Sequence, residues 1–290
     1  MTAQSAQQSA QDAPADSGYS PDFLQAPVPL PRASSDRDII ELDYTHFTVL
    51  LDRPRRLAAA TAVNIDGAFL VDVERGDYWH LDERIPATDQ AGPELYRGND
   101  LDRGHLVRRR DPVWGEPDVA ARANFDTFVY TNAAPQVAGF NQSQVLWSGL
   151  EDYVLEHARV WDLHLTVFTG PIFTAADPLY RGIQIPLAFW KVAAWVSEGD
   201  TLASTGYVLD QSAALREIEL TQARREAEDL RPVPPLGAFG TFQVPITDIE
   251  ELTRLNLGPL ARADRLPAAP PSVEGRSRWV PLRSHSDIVV

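Results

Sequence analysis

The sequence predicts a mixed α+β domain, on three observations: β-rich runs outnumber helical ones, the two kinds do not alternate regularly, and no segment repeats. Regular alternation would instead indicate a doubly wound parallel sheet.

Residues 1–38 are rich in Gln, Ala, Ser, Asp and Pro without apolar periodicity. Such a segment cannot recover its ordering entropy by burial, so a flexible N-terminal tail is expected. Phe47 to Leu51 and Ala58 to Ile65 follow as strands, joined by the turn chemistry of Asp52-Arg53-Pro54. Further β-rich runs lie at Thr127 to Tyr130, Leu163 to Thr169, Ala188 to Val196, Leu202 to Leu209 and Gly240 to Val244. Apolar residues at three- and four-residue spacing predict helices over Val145 to His157, Ser212 to Asp229 and Asp248 to Asn256. The last carries a capping box, Thr247 with Glu250, and a stop at Gly258-Pro259. From Leu266 to Ser286, Pro267, Pro270, Pro271 and Pro281 predict an extended or loosely docked segment. The expected organisation is a tail over 1–38, a folded domain over 39–262 and a C-terminal extension over 263–290.

A chain of 290 residues with 44% hydrophobic and 9% aromatic side chains can bury a sizeable core and is not disordered as a whole. The absence of cysteine excludes disulfides and thiolate ligands, so any metal must be held by oxygen or imidazole nitrogen. No apolar run approaches the ~18 residues of a membrane span, and Met1 to Gln11 lacks the basic start and apolar stretch of a secretory signal. The expectation is a chain without a membrane anchor, cytoplasmic or exported by a non-standard route. A formal charge of −15 argues against a broad polyanion-binding surface but leaves room for a local basic groove. Lys191 is the only lysine among 26 basic residues. Arginine's planar fork suits phosphate oxygens, although a genomic composition bias is the plainer source of the excess.

The stretch Asn99-Asp100-Leu101-Asp102-Arg103-Gly104-His105-Leu106 sets an acid, a guanidinium and an imidazole around a glycine. A histidine near neutrality can take a proton from water, a carboxylate can fix its tautomer, and an arginine can hold a phosphate oxygen. On its own such a cluster is more often a solvated surface loop. Downstream, however, come Tyr130-Thr131-Asn132-Ala133-Ala134-Pro135-Gln136, then Phe140-Asn141-Gln142, Trp147 and Leu150-Glu151.

With these residues the chain resembles the DNA/RNA non-specific endonucleases. Their ββα-metal fold, the His-Me finger, is marked by Asp-Arg-Gly-His, an Asn-x-x-Pro-Gln stretch and a helix carrying a metal-binding asparagine and a glutamate. Arg55-Arg56-Leu57, Thr169-Gly170-Pro171-Ile172-Phe173, Ile185-Pro186, Phe189-Trp190-Lys191-Val192 and Ile249-Glu250-Glu251-Leu252-Thr253 extend the match to about residues 40–257.

The resemblance implies a central, mainly antiparallel sheet flanked by helices, and a metal-dependent endonuclease acting on DNA and RNA without sequence preference. It implies His105 as general base toward the attacking water, and Asn141 as the single protein ligand of a hydrated Mg²⁺, replaceable by Mn²⁺ or another divalent ion. Glu151 would accept hydrogen bonds from the metal's waters, Arg103 would steady transition-state charge, and Asn132 would help position the site. Asp102 matches the motif's first letter, as a structural carboxylate or a direct participant. Arg108, Arg109 and Arg110 would line a substrate groove, or form an exposed charged turn. Asn141 and Glu151 stand two residues further apart than the family's helix more often has, which puts Asn141 on a loop or widened first turn while Trp147 and Glu151 keep helical spacing.

The partners implied are DNA and RNA as substrates and an inhibitor protein, with no membrane. The alternative is a chain that keeps the fold without hydrolysis and binds nucleic acid or a protein partner; its signature, a missing histidine or asparagine, is not present. A small-ester hydrolase would be expected to carry a Gly-x-Ser-x-Gly elbow, which the sequence lacks. His80, His157 and His164 lack metal-ligand spacing and read as structural, and Trp79, Trp190 and Trp195 read as core.

Overall fold

The computed structural model describes residues 18–137, 163–197, 199–213, 215, 240–266, 279–282 and 287. In chain order the first strands are β1 (Arg32–Ala33), β2 (Ile39–Tyr44), β3 (Phe47–Asp52) and β4 (Leu57–Asp66). After helix α1 (Pro93–Tyr96) come β5 (Leu101–His105), helix α2 (Pro117–Asp126) and β6 (Ala133–Val137). There follow β7 (His164–Ile172), a short β8–β9 pair (Leu179–Tyr180 and Ile183–Gln184), β10 (Ala188–Ser197), β11 (Thr201–Asp210) and β12 (Gly240–Val244). Helix α3 (Ile246–Thr253), β13 (Leu255–Asn256) and β14 (Val280–Pro281) complete the described elements.

Among the described residues, eight strands form one sheet in the order β14-β12-β11-β10-β7-β4-β3-β2. Every pairing in it is antiparallel. Both faces are covered, which is why β3 and β4 are buried along their whole length and read as continuous apolar runs rather than alternating ones. On one face Val49, Val63, Val167, Phe189 and Tyr207 pack with Leu101, Leu106, Val107 and Val137 of the β5–β6 region. On the other, Ala62, Phe168, Trp190 and Val208 pack with Ile246 and Ile249 of α3. Among the described residues no helix is long and apolar enough to cross a membrane.

Six of the seven predicted strand runs coincide with β3, β4, β7, β10, β11 and β12. The seventh, Thr127 to Tyr130, is a turn that enters a short 3₁₀ segment, Tyr130–Asn132. Its aromatic and β-branched residues are buried behind the site, and its pairing is limited to an isolated parallel bridge between Val129 and His80. The predicted helix over Val145 to His157 lies outside the described residues. Of Ser212 to Asp229, residues 212, 213 and 215 are described, and they are helical.

Two further expectations are corrected. The packed chain reaches upstream of residue 39: Tyr19, Leu24 and Val28 are buried against the second face of the sheet. Tyr19 donates its hydroxyl to Val28 O at 2.7 Å, and Ser20 N–H donates to Asn64 Oδ1 at 2.7 Å. Three well-placed apolar side chains, at about 1.5–3 kcal/mol each for full burial, suffice to dock a segment whose average composition is polar. Helix α3 begins two residues earlier than expected, at Ile246 behind Pro245, without a side-chain cap bond from Thr247. Glu250 reaches forward instead, accepting from Leu257 N–H at 2.7 Å, and Asp264 Oδ2 accepts from Ile246 N–H at 2.8 Å.

Candidate active site

Strands β5 and β6 form a separate antiparallel pair, with His105 opposite Ala133, Gly104 opposite Ala134 and Asp102 opposite Gln136. A Cβ at 104 would meet the Gln136 side chain, which would have to move to admit it. Strand alternation puts Arg103 and His105 on one side and Asp102 on the other. Asp102 is exposed and makes no hydrogen bond to the imidazole among the described residues, so it does not act as the ring's orienting carboxylate here.

The end of β5 is fixed from behind by Asn132, which is fully buried. Its Oδ1 accepts from Val107 N–H at 2.8 Å, and its Nδ2 donates to Val107 O and Thr127 O, both at 3.0 Å. Leu106 N–H donates to Asn132 O at 2.9 Å. With both donor hydrogens committed, this amide holds the two residues after His105 and is not presented to a substrate. The neighbouring Thr131 hydroxyl lies 2.7 Å from the Tyr44 hydroxyl, which donates to Asp82. Arg84 donates to the same carboxylate from Nη2 at 2.7 Å. Burial pushes the Asp82 carboxyl up, but hydrogen bonds from Arg84 and Tyr44 outweigh it and hold the group below the usual carboxylate range.

The His105 ring sits between Trp79, 4.7 Å away and tilted, and Phe128, 5.1 Å away and edge-on. Its Nε2 is shielded from solvent and has no hydrogen-bond partner among the described residues. Burial, then the charges of Arg75, Arg109 and Arg103, push the imidazole pKa down to about 3. The ring is therefore neutral at physiological pH. Arg103 lies over the Trp79 ring, its guanidinium carbon 5.2 Å from the centroid, and 4.0 Å from the exposed carboxylate of Asp77.

Of the arginines after the motif, Arg109 donates from Nη1 to Val73 O and Asn124 Oδ1, both at 3.0 Å. Arg110 pairs with exposed Asp72 at 3.1 Å. Both thereby tether the segment Val71 to His80, and Arg108 is half-buried beside them. That segment brings Arg75 and Trp79 to His105. Reading Trp79 as core was incomplete: it is half-buried and forms a wall of the imidazole pocket. Nothing local in the sequence marks it, because the contact spans a long loop.

Asn141 and Glu151 lie outside the described residues. Among the described residues no three His, Asp or Glu side chains are grouped to hold a metal. One amide oxygen and one carboxylate nevertheless suit the chemistry of a hard divalent ion that keeps most of its water.

Residues 31–264 match the DNA/RNA non-specific endonuclease family. The chain is 41% identical over 263 residues to an uncharacterized protein of Sinorhizobium fredii, covering 81% of this chain and 38% of that one. It is 29% identical over 204 residues to mitochondrial endonuclease G of Bos taurus, covering 66% and 59% respectively. Nuclease C1 of Cunninghamella echinulata is 25% identical over 225 residues, covering 72% and 85%. The chain thus spans less than two thirds of the length of the first two relatives. Among solved structures, the EndoG/EndoGI complex matches with a TM-score of 0.54 at 19% identity, covering 81% of this chain and 89% of that one, a likeness of fold. The matched span takes in the whole motif series from Arg55 to Glu151 and the fold agrees with it, so the chain belongs to the DNA/RNA non-specific endonuclease family.

Proposed function

We propose that this chain is a metal-dependent endonuclease that hydrolyses phosphodiester bonds of DNA and RNA without reading their sequence. One observation carries the reading: His105 is held as a neutral imidazole with Nε2 uncommitted, beside an arginine whose guanidinium is fixed over the same tryptophan. A neutral ring can accept a proton from water, and Arg103 can hold a phosphate oxygen and steady the charge that grows on it.

An imidazole with so low a proton affinity is a weak base while the site is empty of anions. A bound phosphate supplies the missing negative charge. It offsets Arg75, Arg109 and Arg103 and raises the proton affinity of His105 when substrate is in place. Guanidinium contacts to phosphate carry no base information, which accounts for activity without sequence preference. Arg108 to Arg110 take part as positive charge around the substrate and, for Arg109 and Arg110, as tethers of the segment that walls the imidazole.

By the family's pattern Asn141 would hold a hydrated Mg²⁺, with Mn²⁺ as a substitute, and Glu151 would orient its waters. When bound, the ion supplies positive charge for the leaving oxygen. Besides nucleic acid, the partner this reading calls for is an inhibitor protein that restrains the activity.

The test is cleavage of supercoiled plasmid and structured RNA with Mg²⁺ and with EDTA, for the wild type and His105→Ala. We expect nicking and RNA breakdown in Mg²⁺, loss in EDTA, and a fall of about 10²–10⁴-fold in the variant. Undiminished cleavage by His105→Ala would overturn the assigned role of the imidazole.

A further inference from the structure

We propose that the Asp77 carboxylate is a built-in competitor for the substrate phosphate: it faces the Arg103 guanidinium in the free protein and gives way when nucleic acid binds, lowering substrate affinity without taking part in hydrolysis. The proposal rests on the nuclease reading above and adds a restraint that resides in the chain itself.

Asp77 and Trp79 stand two positions apart on the segment Val71 to His80, and both meet Arg103. Asp77 Oδ1 lies 4.0 Å from Arg103 Nη2, and the guanidinium carbon lies 5.2 Å from the Trp79 ring centroid. A guanidinium over an aromatic face still has its N–H groups for an anionic oxygen, and carboxylate and phosphate compete for the same ones.

The pair is unlike those that hold the fold. Arg37–Asp52 at 2.8 Å and Arg84–Asp82 at 2.7 Å each have a buried carboxylate. Here the Asp77 side chain is 72% exposed and that of Arg103 36%, and 4.0 Å is too long for a hydrogen bond. Solvent reaches both groups, so a nucleic-acid strand has access to them and the contact adds little to stability. Asp72 repeats the arrangement at Arg110, 3.1 Å away, with its side chain 74% exposed. Asp77 can also leave without releasing the segment, which is anchored elsewhere. Val73 O accepts from Arg109 Nη1 at 3.0 Å, His80 N–H donates to Phe128 O at 3.1 Å, and Tyr130 N–H donates to His80 O at 2.9 Å.

A phosphodiester entering the site meets Asp77 as a like charge and as the present partner of the guanidinium it needs. Both effects act on binding. Asp77 contributes no group to the reacting atoms, so its removal changes KM and leaves kcat alone.

The test compares wild type, Asp77→Asn, Arg103→Ala and the double variant for affinity toward a non-cleavable phosphorothioate oligonucleotide, by fluorescence anisotropy in EDTA at low salt. Wild type and Asp77→Asn are also compared for kcat and KM on a cleavable duplex in Mg²⁺. We expect Asp77→Asn to bind about 2- to 5-fold tighter, the range of an exposed ion pair, with KM lowered in proportion and kcat within about twofold of wild type. The gain should vanish in the Arg103→Ala background, because the two groups act on each other. Unchanged or weaker binding by Asp77→Asn overturns the proposal. So does an equal gain without Arg103, which would make Asp77 a general surface charge, and so does a fall in kcat, which would place it in the chemistry. A wild type that neither binds nor cleaves overturns the nuclease reading and this one together, whereas wild-type cleavage with no gain in Asp77→Asn overturns this one alone.

Discussion

Asn132 and Val107 are joined by a reciprocal pair of hydrogen bonds, Val107 N–H to Oδ1 at 2.8 Å and Nδ2–H to Val107 O at 3.0 Å. A side-chain amide thus takes the place of a strand partner just past the end of β5. It fixes the backbone that leaves His105, and through Thr127 it ties that backbone to the turn after α2.

Asn132→Ala leaves Val107 N–H, Val107 O and Thr127 O without these partners in a buried place. We expect a loss of about 2–4 kcal/mol in urea unfolding, with cleavage falling as the His105 backbone loosens. An unchanged unfolding midpoint would show that the clamp carries no stability.

At Gly104 the space for a Cβ is filled by Gln136 across the β5–β6 pair. Gly104→Ala should cost about 1–3 kcal/mol by overpacking. Adding Gln136→Ala should recover a measurable part, so the double-mutant cycle should show coupling between the two sites. Additive losses would place the strain elsewhere.

Acid sensitivity follows from the buried histidines. His46 stacks on Trp114 with centroids 3.4 Å apart and shares a 2.8 Å hydrogen bond between Nδ1 and Pro112 O. Burial pushes its pKa down to about 4, against the opposing effect of the Pro112 carbonyl. His105 lies at about 3. Both folded values are depressed below about 6.5, so between that pH and about 4 the unfolded chain binds protons that the native chain does not. The stability they contribute is complete above about 6.5 and is lost as pH falls through 4 and then 3. Unfolding midpoints measured from pH 7.5 down to 5 should therefore decline. His46 has φ of +66°, a conformation asparagine tolerates, so His46→Asn should flatten the decline. An identical slope in that variant would refute the assignment.

The His105 ring should not titrate above about pH 4 in the free protein when followed by NMR. Saturation with a non-cleavable phosphorothioate oligonucleotide should raise its midpoint, because bound phosphate cancels the arginine charges. Since burial is the largest cause of the depression, Trp79→Ala should raise the free-state value more than Arg75→Gln. The reverse order would make the arginines, not the aromatic wall, the main control.

Much of the fold was legible because a sheet covered on both faces forces long apolar strands, and Ala58 to Ile65, Ala188 to Val196 and Leu202 to Leu209 show them plainly. The motif residues were legible for a different reason: Asp102 to His105 and Asn132 to Gln136 each lie within a few positions, so their spacing survives in the linear chain. Register was not legible. That Gly104 faces Ala134 with Gln136 over it, or that Asn132 rather than a strand holds Val107, depends on how two segments 25 or more residues apart meet.

By itself, then, the sequence determined the strand periods, the α+β class and the family's chemical signature, since these follow from local spacing and side-chain type. Only the tertiary structure decided that Asp102 points away from the imidazole, that Tyr19 to Val28 dock on the sheet, and that Trp79 and Phe128 flank the reactive ring, with Tyr130 packed behind Trp79. Burial and the loss of water that shifts a pKa arise from atoms brought together across the chain, and no local pattern encodes them.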